Sequence, residues 1–259
     1  MLDLVGDSLN WAAAGILFPL MLLPAATLIS GNSSRATLIW VFITFGIISA
    51  GILFAAIVPI LRATPTLAQF LPFSGLFSSL VIIIALTGGA REAVRRLTPI
   101  LETLTKAVGR AVIWFLLAMA LIQFGVVIGR YVFGVNSLFI QESITYFHGA
   151  VFLLATGYAL LTDDHVRVDI FYREASSAHK AKVDLAGAYF LLFPICLLLL
   201  WAASPYVAQS WLVREGSAEA SGIQALFVLK SLIPAYAVLL AVAGFVTASN
   251  AVETLREHR

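Results

Sequence analysis

Asp163, Asp164, His165, Arg167 and Asp169 fall within seven consecutive positions of LLTDDHVRVDIFY, residues 160–172. Carboxylates and an imidazole at this density could hold a divalent metal or run acid–base chemistry. The ligand set is poor, because no second His, no Cys and no i,i+4 His pair lies nearby. A turn between membrane helices accounts for the same residues. Its acids would cap helix ends and pair with Arg167 or Arg173.

A second polar group opens an apolar stretch as QESITYFHG, residues 141–149. An ionisable residue inside a span is a functional candidate. At 100° per residue, Gln141, Thr145 and His148 share one helix face, and Glu142, Tyr146 and Gly149 share the next. Glu142 and His148 diverge, so a local acid–base pair between them is not expected. The stripe is expected to pack against another helix or subunit, with Gly149 permitting close approach. Just before it stand Arg130 and Tyr131. Both residue types suit a membrane boundary by snorkelling and aromatic anchoring. Arg130 is also expected to pair with Glu142 across a tight turn through Gly134 and Asn136. Further on, SWLVREGSAEASGIQ (210–224) reads as an ordinary loop or as a docking surface for an external partner. Lys230, one turn inside the last apolar run, is expected to snorkel.

Other chemistries lack their residues. There is no Walker A sequence, GxSxG, HExxH or CxxCH. Of the four histidines only His148 lies inside a span, which disfavours a diheme cytochrome. The one cysteine, Cys196, sits in an apolar run and supports neither a disulfide framework nor a Cys-based metal site. No cofactor or metal and no enzymatic activity is expected.

The elements that must position these groups are membrane helices. The chain is 61% hydrophobic and 12% charged, against about 25% charged in soluble domains. A net charge of +2 gives no reason to expect nucleic acid. The first ten residues carry Asp3 and Asp7 but no Lys or Arg, unlike a signal peptide, so the first apolar run is expected to stay and span. Runs long enough to cross a bilayer lie at about 9–29, 38–61, 70–86, 108–128, 140–161, 183–207 and 226–248. The third is the shortest and has Pro72 near its start. The fold class is therefore an all-α bundle of about seven spans. Residues 1–90 form an N-terminal hydrophobic region, 91–106 a basic amphipathic cytoplasmic connector, 107–250 a four-helix unit and 251–259 a tail. Leu97, Ile100, Leu101 and Leu104 give the connector its apolar spacing. With seven spans, 12 of the 16 Lys and Arg fall on one side. The positive-inside rule puts that side and the C-terminus in the cytoplasm, and the N-terminus outside.

RYVFG at 130–134, Leu138, QES at 141–143 and DDHVRVDIF at 163–171, in this order around one span, resemble the small permease subunit of tripartite ATP-independent periplasmic (TRAP) transporters. The resemblance covers about 107–250. HVRVD at 165–169 is complete, and Arg130 and Glu142 match residue by residue. Gln141 stands where a second acid is common, and the Trp often found before the acids is missing, with Phe139 and Ile140 near its place. EGS…SGIQALFVLKSLIP resembles the entrance to the last span in a branch of the family associated with 2-oxoacids, mannitol or chloroaromatics. The resemblance implies a bacterial inner-membrane scaffold and anchor for a large permease subunit. A periplasmic substrate-binding protein would deliver an organic acid or related solute, and an ion gradient, usually sodium, would drive import. It implies structural or inter-subunit roles for Arg130, Tyr131, Glu142, His165, Arg167 and Asp169. It assigns no role to residues 1–90. Rival readings are a membrane enzyme with a cytoplasmic Asp/His metal site, and a self-sufficient proton-coupled carrier using Glu142 and His148.

Overall fold

The computed structural model describes residues 17, 20–25, 27, 28, 65–164, 172 and 174–258, with the backbone alone over 65–90. Among the described residues every regular element is helical. Helix α1 is Pro65–Val132, α2 is Leu138–Leu154, α3 is Thr156–Thr162 and α4 is Ser177–Gly187. A π-helical segment, Ala188–Leu192, joins α4 to α5, Phe193–Leu212, and α6 is Leu226–Glu257. Four stretches are long and apolar enough to cross a membrane: Arg91–Val132, Leu138–Thr162, Ser177–Leu212 and Leu226–Glu257. They correspond to the last four expected spans. The expected second span lies outside the described residues.

Helix α1 is longer than expected. The run at 70–86, the connector and the next span are one unbroken helix of 68 residues, about 100 Å at 1.5 Å per residue. The charges of the connector favour continuation. Arg95 and Arg96 both reach back to Glu92, and Lys106 reaches Glu102 at 2.6 Å. Such i,i+3 and i,i+4 pairs support a helix. Leu97 and Leu101 pack on the core, whereas Ile100 and Leu104 are exposed. The apolar stripe is thus narrower than its spacing suggested.

Two local irregularities interrupt the helices, the first with a covalent cause. Pro194 has no N–H to give to the carbonyl four residues back. The helix takes up the mismatch upstream, where the Phe193 N–H bonds to Ala188 O in the i→i−5 pattern of a π-turn. The chain bends at Ala155, between α2 and α3, but the backbone bonds Ala155 N to Val151 O and Ala159 N to Ala155 O carry the helix across.

Helix α6 is the centre. It contacts α1, α2, α3, α4, the π segment and α5. Ala237, Ala241, Ala243, Phe245, Val246 and Ala248 are buried. In lipid the hydrophobic effect gives helices little reason to associate, so close van der Waals packing between small residues must do so. Leu17, Leu20, Met21 and Leu23 join this core beside Phe193, Cys196 and Leu200. Part of the first expected span therefore packs on the four-helix unit. The Tyr189 hydroxyl fixes it, accepting from Ala25 N at 3.0 Å and donating to Met21 O at 2.5 Å.

Candidate functional site

Polar side chains gather where α1 turns into α2 and α5 passes to α6. Ser137 caps α2, its hydroxyl accepting from Ile140 N, and this places Glu142 on the second turn. The Glu142 carboxylate receives the Ser217 hydroxyl at 2.5 Å on one oxygen and the Ile223 N–H at 2.6 Å on the other. Both donors belong to the α5–α6 loop, more than 70 residues along the chain. Gly222 makes this approach feasible. A Cβ there would lie 2.3 Å from Ser217 Oγ and 2.6 Å from Glu142 Oε2. The loop closes on itself through Ser217 N to Ile223 O and Gly222 N to Glu219 O. It is a folded clasp locked onto α2, more ordered than the ordinary loop reading of 210–224.

A second lock ties the loop to α6. Lys230 pairs with Glu215 at 2.5 Å, and its ammonium sits 4.0 Å above the Tyr206 ring of α5. Its side chain is 13% exposed, so it does not snorkel freely as expected. A paired ammonium against an aromatic face has a local counter-charge and does not need to reach water. Glu215 lies in the loop between the spans, and the Lys230 ammonium holds its carboxyl below the ordinary range. Trp211 donates to Ser231 Oγ at 2.7 Å and meets Phe227 edge-on. Clasp and lock join α2, α5 and α6 at one end of the bundle.

The expected Arg130–Glu142 pair is not formed. Arg130 donates instead to Asn136 Oδ1 at 3.3 Å, and Gln141 Nε2 donates to the same oxygen. Asn136 lies in the turn between the two helices and intercepts the guanidinium, while Glu142 faces the α5–α6 loop. Tyr131 is 81% exposed. The predicted helix faces separate as drawn from the 100° spacing. Gly149 faces α6, where an added Cβ would stand 3.0 Å from Leu229 Cδ1. Thr145 and His148 are exposed, and the His148 ring stacks on Phe152 at 6.2 Å. Glu142 and His148 therefore form no acid–base pair.

At the opposite end, Asp163 closes α3 in the left-handed conformation at φ 61°. It caps this helix end as expected of the acids here, its backbone N–H bonding to Ala159 O. Asp tolerates this conformation better than most residues. The single Thr162 hydroxyl lies within hydrogen-bond reach of both Asp164 and Tyr158 O. Tyr172 donates to the Asp184 carboxylate at 2.8 Å. His165, Arg167 and Asp169 lie outside the described residues. Among the described residues no three His, Cys, Asp or Glu side chains gather as metal ligands do.

Sequence reasoning missed Ser217, Gly222, Glu215 and Asn136 as partners. Their small or polar types in EGSAEASGIQ and in the 133–137 turn were visible. What they touch depends on contacts across the fold.

Four apolar helices, with polar groups spent on joining them, define a multi-pass membrane protein. Residues 119–256 match the family described as tripartite ATP-independent periplasmic transporters, DctQ component. The chain belongs to this family, the small membrane subunits of TRAP transporters. The match begins inside α1 and takes in the clasp, the Lys230 lock and nearly all of α6. The curated proteins compared give no match. No solved structure matches either.

Proposed function

We propose that this subunit is the scaffold and anchor of its transporter, holding a large permease subunit that moves the substrate. Import is driven by an ion gradient, with sodium as the coupling ion, and a periplasmic binding protein delivers an organic acid or related solute. The chain sits in the bacterial inner membrane, with the clasp on the periplasmic side and the C-terminus in the cytoplasm. Arg130, Tyr131, Glu142, His165, Arg167 and Asp169 serve structure and assembly. Residues 1–90 widen the scaffold.

The observation that carries the reading is the use of Glu142. Both oxygens of this intramembrane carboxylate are engaged by a loop from the far half of the unit. That engagement suits a rigid post better than a proton relay. The exposed Thr145 and His148 are polar groups that a bilayer would not favour, which supports a protein neighbour on that face. The test is reconstitution. Uptake into proteoliposomes should require this chain, a large permease subunit and the binding protein together. Transport by this chain alone would overturn the scaffold role in favour of a self-sufficient carrier.

A further inference from the structure

The family match does not account for a cavity at the end of the bundle opposite the clasp. It holds about 650 Å³ between α1, α6 and Thr27. Arg91 and Arg95 line it from α1, and Asn250 and Arg256 from α6. Arg91, Arg95 and Thr27 lie before the matched residues, and Asn250 and Arg256 lie within them. The cavity is therefore a property of the seam between the family unit and the additional N-terminal region.

Its lining includes three guanidiniums and two carboxylates, Glu92 and Glu253, and so is net positive by one charge. The carboxylates set the guanidiniums in place. Arg91 donates to Glu253 at 3.4 Å, and Arg95 donates twice to Glu92, at 2.9 and 3.2 Å. A guanidinium has five N–H donors, so these bonds leave donors on both residues for a ligand. Arg256, whose side chain is only 18% exposed, also donates to Thr27 O and ties the wall together. Val94 and Val252 supply apolar lining beside the charges.

We infer that this cavity binds a phosphate group carrying a single negative charge, as in the phosphodiester headgroup of an anionic phospholipid. One negative charge neutralises the lining, and the guanidinium fork matches phosphate oxygens. Basic pockets between membrane helices are suited to such headgroups. This inference does not depend on the transport reading.

The test uses the full chain in mild detergent, with bound lipid counted by native mass spectrometry after adding phosphatidylglycerol or phosphatidylcholine. Phosphatidylglycerol should be retained in preference. Arg91→Gln and Arg95→Gln should each weaken it by about fivefold, the usual effect of one basic residue near a membrane surface. Arg95 is largely exposed, so its variant should keep the wild-type melting temperature. Lys106→Gln, outside the cavity, should leave retention unchanged. Displacement by inorganic phosphate would assign the same site to free phosphate instead of lipid. Equal retention of the two lipids with no phosphate binding would overturn the site. So would equal losses in all three variants, or no loss in the two arginine variants.

Discussion

Replacing Tyr189 by Phe removes one oxygen and tests whether the N-terminal segment is a built part of the subunit. The hydroxyl bridges Met21 O and Ala25 N, backbone groups one helical turn apart. It therefore ties this turn to a different helix. The ring is expected to stay, because it packs edge-on against Phe193 at 5.2 Å. Two hydrogen bonds are lost, each worth about 0.6 kcal/mol in membrane proteins and about 1 kcal/mol more generally. The expected cost is about 1–2 kcal/mol. Local opening of residues 20–28 should then rise about 5- to 30-fold. Hydrogen exchange in detergent would read this, with α6 as an internal reference. Unchanged exchange at 20–28 would refute the clamp. Equal acceleration in α6 would show that the hydroxyl supports the whole fold instead.

Glu142→Gln and Gly222→Ala should both speed exchange at residues 215–225 while leaving the middle of α6 protected. The first removes the charge that draws the Ser217 and Ile223 donors, and the second puts a methyl into their space. No change in either would remove the clasp from the account. The Glu215–Lys230 lock should depend on acid. A carboxyl held below its ordinary value of 4.5 stabilises the fold above that value, and the contribution is lost as pH falls through the lower folded value. Loop protection should thus persist at neutral pH and fail only in acid below about 4.5, and Glu215→Gln should shrink the acid step to the part owed to the Glu142 carboxylate, which holds the same loop. Removing residues 1–28 should open the core around Cys196, which is 0% exposed. A membrane-permeant maleimide should then label it, whereas the full chain should resist.

The spans were legible where apolar length alone decides, as in α6 and in α2 with α3. The helix-face separation of Gly149 from His148 also followed from 100° spacing. Four features did not. Charges at 91–110 looked like a boundary, yet Glu92 and Glu102 pair along the helix and carry α1 through. Arg130 and Glu142 looked like partners because a short turn joins them, yet chain proximity does not say which way a side chain faces. The donors to Glu142 come from a loop remote in sequence, and no local pattern reports such a contact. Tyr189 was hidden for the same reason, because its role depends on residues more than 160 positions away.

The most direct test of the scaffold account is to isolate the tagged chain from its native membranes in mild detergent and identify what comes with it. The account predicts a large multispan permease subunit in stable complex, lost together with solute uptake when the clasp is broken by combining Glu142→Gln with Gly222→Ala. Recovery of the chain alone, with uptake intact in the double variant, would contradict it.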